Sequence, residues 1–176
     1  LNIVSSSVGS LTNANKITNT FKSAKQMNIG APTVNRYLDY FIDAFLLYKA
    51  ERYDVKGRKY IGSPLKYYFS DVGLRNARLN FRQQEENHIM ENIIYNELCG
   101  RDFSVDVGVV EYCYKDAEKK SKRTQLEIDF VANKGSKKYY IQSALTVADE
   151  EKREQEIRSL KRVGDSFKKI VVVKDN

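Results

Sequence analysis

The chain has 176 residues, 41% apolar and 30% charged, with a formal net charge of +7, a balance typical of globular material in one sizeable or two small domains. Its longest uninterrupted apolar run, Ala44 to Tyr48, falls far short of the roughly 20 residues that span a bilayer, which excludes a membrane-spanning helix. Two cysteines, Cys99 and Cys113, and one histidine, His88, are too few for a disulfide scaffold or a zinc cluster. No basic segment followed by an apolar one precedes a small-residue cleavage site, so no signal peptide is expected and the cytoplasm is the expected location. Leu1 stands where a methionine would start a complete protein, so the chain is expected to be part of a longer one.

The charge is unevenly spread. Residues 1–70 carry ten Lys/Arg against four Asp/Glu, a difference of +6, and residues 71–176 carry the remaining 20 and 19, a difference of +1. A basic N-terminal part favours a polyanionic partner such as nucleic acid, while a merely solvated surface is the plain alternative.

In chain order, Ile3, Val4, Val8 and Leu11 recur at helical spacing, and Ile17 and Phe21 do so again, which predicts two short helices. A third is predicted from Thr33, an N-cap candidate after Pro32, because Val34, Leu38, Phe41, Ile42 and Phe45 form one apolar stripe. Leu46-Leu47-Tyr48 and Tyr60-Ile61 then flank a polar stretch with Gly57, the pattern of a β-hairpin. Three helices and a hairpin are the order of a winged helix, expected over residues 1–70. In such a module Asn35 and Arg36 on the first turn of the third helix would read the groove, and Lys56, Arg58 and Lys59 at the hairpin tip would meet phosphates. Asp39 and Asp43 on the exposed side of the same helix oppose that reading.

Residues 71–176 read as a second domain. Tyr68 to Leu74 make a junction of short strand and capped turn, and Ile89, Ile93, Ile94 and Leu98 mark a helix over about 87–98. Strands are predicted at Val105–Val107 and Val109–Tyr114, an exposed loop at Asp116–Arg123, and a strand from Leu126 with Ile128 and Phe130 facing one way and Glu127 and Asp129 the other. Gly135-Ser136 turns the chain into a strand over Tyr139–Leu145. A charged helix over 149–163, buried through Ile157, Leu160 and Val163, precedes a closing strand at Ile170–Val173. The expected class is α+β, a mixed sheet flanked by helices.

Metal-assisted phosphodiester hydrolysis needs hard oxygen ligands and a group that orients or deprotonates water. Asp129 and Gln142 lie on neighbouring strands of one hairpin, and Glu91 on the preceding helix could add a carboxylate. This order resembles the restriction-endonuclease-like PD-(D/E)XK nuclease superfamily. The resemblance implies metal ligation by Glu91, Asp129 and Gln142, and a lysine two residues beyond Gln142. Ala144 occupies that position. Gln142 also offers a neutral oxygen where a carboxylate would bring charge, and Lys138 lies four residues away, roughly 13 Å along a strand. Losing such a group forfeits about 10²- to 10⁴-fold in rate. The expectation is a degenerate nuclease fold without confident catalytic residues, in which Mg²⁺ is the one weak cofactor candidate. His88 reads as a surface residue, Glu127 as a solvated carboxylate or an extra ligand, and most tyrosines as core.

A broader resemblance covers almost the whole chain. Thr33-Val34-Asn35-Arg36-Tyr37-Leu38 with Ala44-Phe45-Leu46, Lys66 to Leu74, Met90 to Leu98, and Glu127-Ile128-Asp129-Phe130-Val131 follow in an order similar to the C-terminal half of predicted bacterial and archaeal AAA-type P-loop ATPases. That resemblance implies a winged helix and a nuclease-like domain of unknown function behind an ATPase domain. ATP would bind only in that ATPase domain, because no phosphate-binding P-loop motif occurs in this chain. The expected role is a non-catalytic, DNA-binding or regulatory module. The expected partners are nucleic acid, a protein, or the ATPase domain of the same polypeptide, with no membrane. The alternatives are a residual Mg²⁺-dependent deoxyribonuclease and a protein-interaction module.

Overall fold

The computed structural model describes residues 1–82, 85–115 and 121–175. Helices α1 (Asn2–Ser5), α2 (Ala14–Lys25) and α3 (Ala31–Asp43) precede strands β1 (Leu47–Asp54) and β2 (Lys59–Phe69) and helices α4 (Val72–Arg78) and α5 (Glu86–Gly100). Strands β3 (Ser104–Lys115), β4 (Ser121–Lys134) and β5 (Lys137–Thr146), helix α6 (Glu150–Lys161) and strand β6 (Lys168–Asp175) complete the order. The fold is mixed α/β, and its six-stranded sheet runs β2-β1-β3-β4-β5-β6. β3, β4 and β5 pair antiparallel, whereas β1 with β3 and β5 with β6 pair parallel. Parallel neighbours need a crossover, which α6 supplies between β5 and β6. Packing separates the chain into two compact units, Leu1–Glu51 with Gly62–Asn96, and Arg52–Ile61 with Glu97–Asn176, so each draws on two stretches of sequence.

In the first unit, Asn13 caps α2 by accepting from the Lys16 amide at 2.8 Å. α3 begins two residues before the expected Thr33 cap. Pro32 sits in the first turn, where its missing N–H costs nothing, and Gly30 is the cap residue. Of the expected stripe only Val34 and Leu38 are fully buried; Phe41 and Ile42 are half-buried, and Phe45 lies beyond the helix, 75% exposed with φ +55°. α1 is shorter than expected because the chain turns after Ser5, and Val8 is buried from that turn rather than from a helix. α4 continues what reads in sequence as a turn, with Asp71 accepting from the Leu74 amide at 3.0 Å.

In the second unit the predicted hairpin turn forms, with an unexpected division of labour. The Asp54 carboxylate folds over the turn and accepts from the Lys56 and Gly57 amides at 3.1 and 2.9 Å. A Cβ on Gly57 would lie 2.3 Å from that carboxylate, while the left-handed residue is Arg58, at φ +52°. β3 is one continuous strand where two were predicted. β4 reaches back to Ser121, so Ser121–Arg123 are strand rather than loop; Asp116 to Lys120 lie outside the described residues.

The expected strict alternation along β4 is broken by a bulge. Asp106 pairs with Val131 but Gly108 with Ile128, so two β4 residues, Asp129 and Phe130, face the single residue Val107. The extra residue returns Val131 to the side of Ile128, and both join Val55, Val110, Tyr140, Leu160 and Val163 in the core. Gly108 makes room for the pair, since a Cβ there would be 2.9 Å from both side chains. α6 closes this core through Leu160, with Val163 just after it. Among the described residues no helix is long and apolar enough to cross a membrane.

Candidate functional site

The three candidate metal ligands fall into different surroundings. Glu91, on α5, belongs to the first unit and is 7% exposed. One carboxylate oxygen accepts from the Lys66 ammonium at 2.8 Å and from the Tyr68 hydroxyl at 2.5 Å, both donors standing on β2. Lys66 is itself 3% exposed, so the pair forms a desolvated ion pair with a hydroxyl as additional donor. The other oxygen approaches Gly9, where a Cβ would lie 3.2 Å from it and 3.2 Å from His88 Nδ1. Gly9, with φ +69°, therefore lets its loop rest against both side chains. Next along α5, Asn92 accepts from the Phe69 amide at 2.8 Å and donates to the Phe69 carbonyl at 2.7 Å, so its side chain acts as one more rung on β2. The Glu91-Asn92 dipeptide ties helix to strand.

Asp129 and Gln142 belong to the second unit. Phe130 pairs with Ile141, and Asp129 and Gln142 are the neighbours of that pair on their two strands. Asp129 Oδ2 accepts from the Ser143 amide at 2.8 Å and from the Ser143 hydroxyl at 2.7 Å. Both donors are neutral, and among the described residues Asp129 takes part in no ion pair. Gln142 Oε1 accepts a long bond from the Ser159 hydroxyl of α6, at 3.4 Å. Ala144, at the position where the resemblance implies lysine, is buried. Lys138 is committed elsewhere, its ammonium 5.5 Å from the Tyr53 ring centre and 5.3 Å from that of Phe167.

Sequence reading missed a carboxylate that feels the Asp129 charge. Glu156, half-buried on α6, is held above its ordinary carboxyl range by burial and then by the Asp129 charge, with Lys152 pulling the other way. The 3.6-residue period that buries Leu160 and Val163 also brings Glu156 and Ser159 toward the sheet, a signal available only once the face of α6 was known. Among the described residues no group of three or more His, Cys, Asp or Glu side chains is placed to hold a metal ion.

The candidate DNA-binding residues are all exposed. Asn35 and Arg36 lie on the first half of α3 in the first unit, where Asn35 lines a polar cleft of about 340 Å³ with Asn13, Asn15 and Ser63. Lys56, Arg58 and Lys59 form the β1–β2 turn in the second unit, and the Lys56 ammonium donates to the Glu111 carbonyl at 3.1 Å.

Residues 1–85 match a family described as "Domain of unknown function (DUF8612)". Over 165 residues, 94% of this chain, the sequence is 33% identical to an uncharacterized protein of Haemophilus influenzae. The chain spans 37% of that protein's length. No solved structure matches.

Proposed function

We propose that the chain is a non-catalytic nucleic-acid-binding module of a longer P-loop ATPase, built from a winged helix over 1–70 and a degenerate nuclease-like domain over 71–176. The observation that carries the reading is the exposed basic turn of Lys56, Arg58 and Lys59 in the second unit. Long cations at a hairpin tip can follow a phosphate backbone without a fixed register. The loss of turnover is supported by Ala144 at the lysine position and by a Glu91 already neutralised by Lys66. The greater length of the Haemophilus relative is what an additional ATPase domain would require.

The reading is tested by duplex DNA binding across a salt series, with and without Mg²⁺ or Mn²⁺. Saturable, salt-sensitive binding is expected. Replacing Lys56, Arg58 and Lys59 together with glutamine should flatten the salt dependence by about 3 in logarithmic slope, at about 0.9 per lost phosphate contact. Absence of binding at low salt would leave a protein-interaction module as the better account. Metal-dependent cleavage that vanishes in Asp129→Ala would instead establish a residual deoxyribonuclease.

A further inference from the structure

The second unit carries an aromatic and cationic surface apart from the β1–β2 turn. Tyr112 and Tyr114 project from one face of β3 with ring centres 6.0 Å apart, and Tyr114 is 44% exposed. Across the ladder, Thr124 and Lys122 are their direct partners on β4 and share that face. From α6, the Arg162 and Arg158 guanidinium carbons stand 4.9 and 5.5 Å from the Tyr112 ring centre, and Arg158 also donates to the Tyr112 hydroxyl. Both arginines are exposed, and among the described residues neither is ion-paired with a carboxylate.

We propose that Tyr112, Tyr114, Arg158 and Arg162 form a binding surface for single-stranded nucleic acid. A guanidinium held against a tyrosine ring loses part of its conformational freedom before any ligand arrives, and its N–H edges remain available to phosphate oxygens. An exposed tyrosine beside it offers a flat apolar face to an unstacked base, an interaction that every base can make. Two cations over one ring, with a second exposed ring beside it, can meet the phosphates and a base of one strand. A peptide of acidic side chains alone has no flat group for Tyr114, and a duplex keeps its bases inside the stack. The surface shares no residue with the basic turn proposed to meet duplex DNA, so either can fail without the other.

The test is fluorescence anisotropy of labelled oligo-deoxythymidine, and of a duplex of equal length, with the full chain. Tyr114→Ala should weaken oligo-deoxythymidine binding by about 5- to 100-fold at unchanged salt slope, because a stacking contact releases no counterions. Arg158→Gln with Arg162→Gln should weaken it and lower the slope by about 1.4, at about 0.7 per phosphate on a single strand. Both sets of residues are exposed, and unchanged thermal unfolding will confirm that the variants fold. The glutamine variant of the β1–β2 turn should leave single-strand binding within about twofold while reducing duplex binding. Wild-type protein that shows no saturable single-strand binding at low salt would overturn the proposal. So would Tyr114→Ala without effect, or polyglutamate competing as well as oligo-deoxythymidine.

Discussion

Glu91 in the first unit and Asp129 in the second are both 7% exposed, yet they are held by opposite means. Glu91 meets a buried ammonium and a hydroxyl, so its charge is cancelled where it stands. Asp129 meets an amide and a hydroxyl, which orient it without cancelling its charge, and a second acid, Glu156, stands close enough to feel it. Equal burial therefore does not say how a carboxylate is held. The charge of its partner does: Glu91 is a desolvated anion set against a cation, whereas Asp129 is satisfied by neutral donors.

The largest effect is expected from breaking the fastening. Lys66→Met removes the buried ammonium that holds Glu91 and should cost about 3–5 kcal/mol of unfolding free energy in urea denaturation. Adding Glu91→Gln to it should recover a large part of that loss, because the buried charge then disappears as well. If the single variant is as stable as wild type, the contrast between the two units fails.

A smaller effect is expected in the second unit. Ser143→Ala removes the hydroxyl from Asp129 but leaves the backbone amide in place, and about 1.5 kcal/mol of stability should go with a hydrogen bond to a charged group. A loss as large as that of Lys66→Met would mean that Asp129, too, is chiefly structural.

The smallest effect depends on pH. Glu156 titrates above its reference value of 4.5 in the folded protein, so its stabilising contribution is complete below that value and is lost as pH rises through the folded one. Glu156→Gln should therefore have a higher Tm than wild type at pH 7, and the gap should close by about pH 4. A Glu156→Gln variant that is less stable than wild type at pH 7, with the deficit closing on acidification, would show that Glu156 gains more from Lys152 than it loses to burial and to Asp129.

Local chemistry was readable wherever one pattern decided the outcome. The Val34 and Leu38 spacing placed α3, Gly135 marked the turn between β4 and β5, and Gly57 marked the β1–β2 turn. Reading was less successful where backbone pairing at a distance decided. α1 lost its second turn, β3 ran on through Asp106 to Gly108 as one strand, and β4 claimed Ser121–Arg123 from a polar run with no apolar group of its own. Those residues are strand because β3 supplies hydrogen-bond partners, which a window along one segment cannot reveal.

The amino-acid sequence by itself determined the helical and strand segments with strong periodicity and the basic bias of residues 1–70, since each is a property of neighbouring positions or of composition. Only the tertiary structure decided that Glu91 is bound to Lys66, that a bulge at Asp129 and Phe130 resets the faces of β4, and that Arg158 and Arg162 gather over Tyr112. Each of these joins residues 25 to 50 positions apart, or depends on the register between two strands, and such partners are chosen by how elements pack rather than by what precedes and follows them.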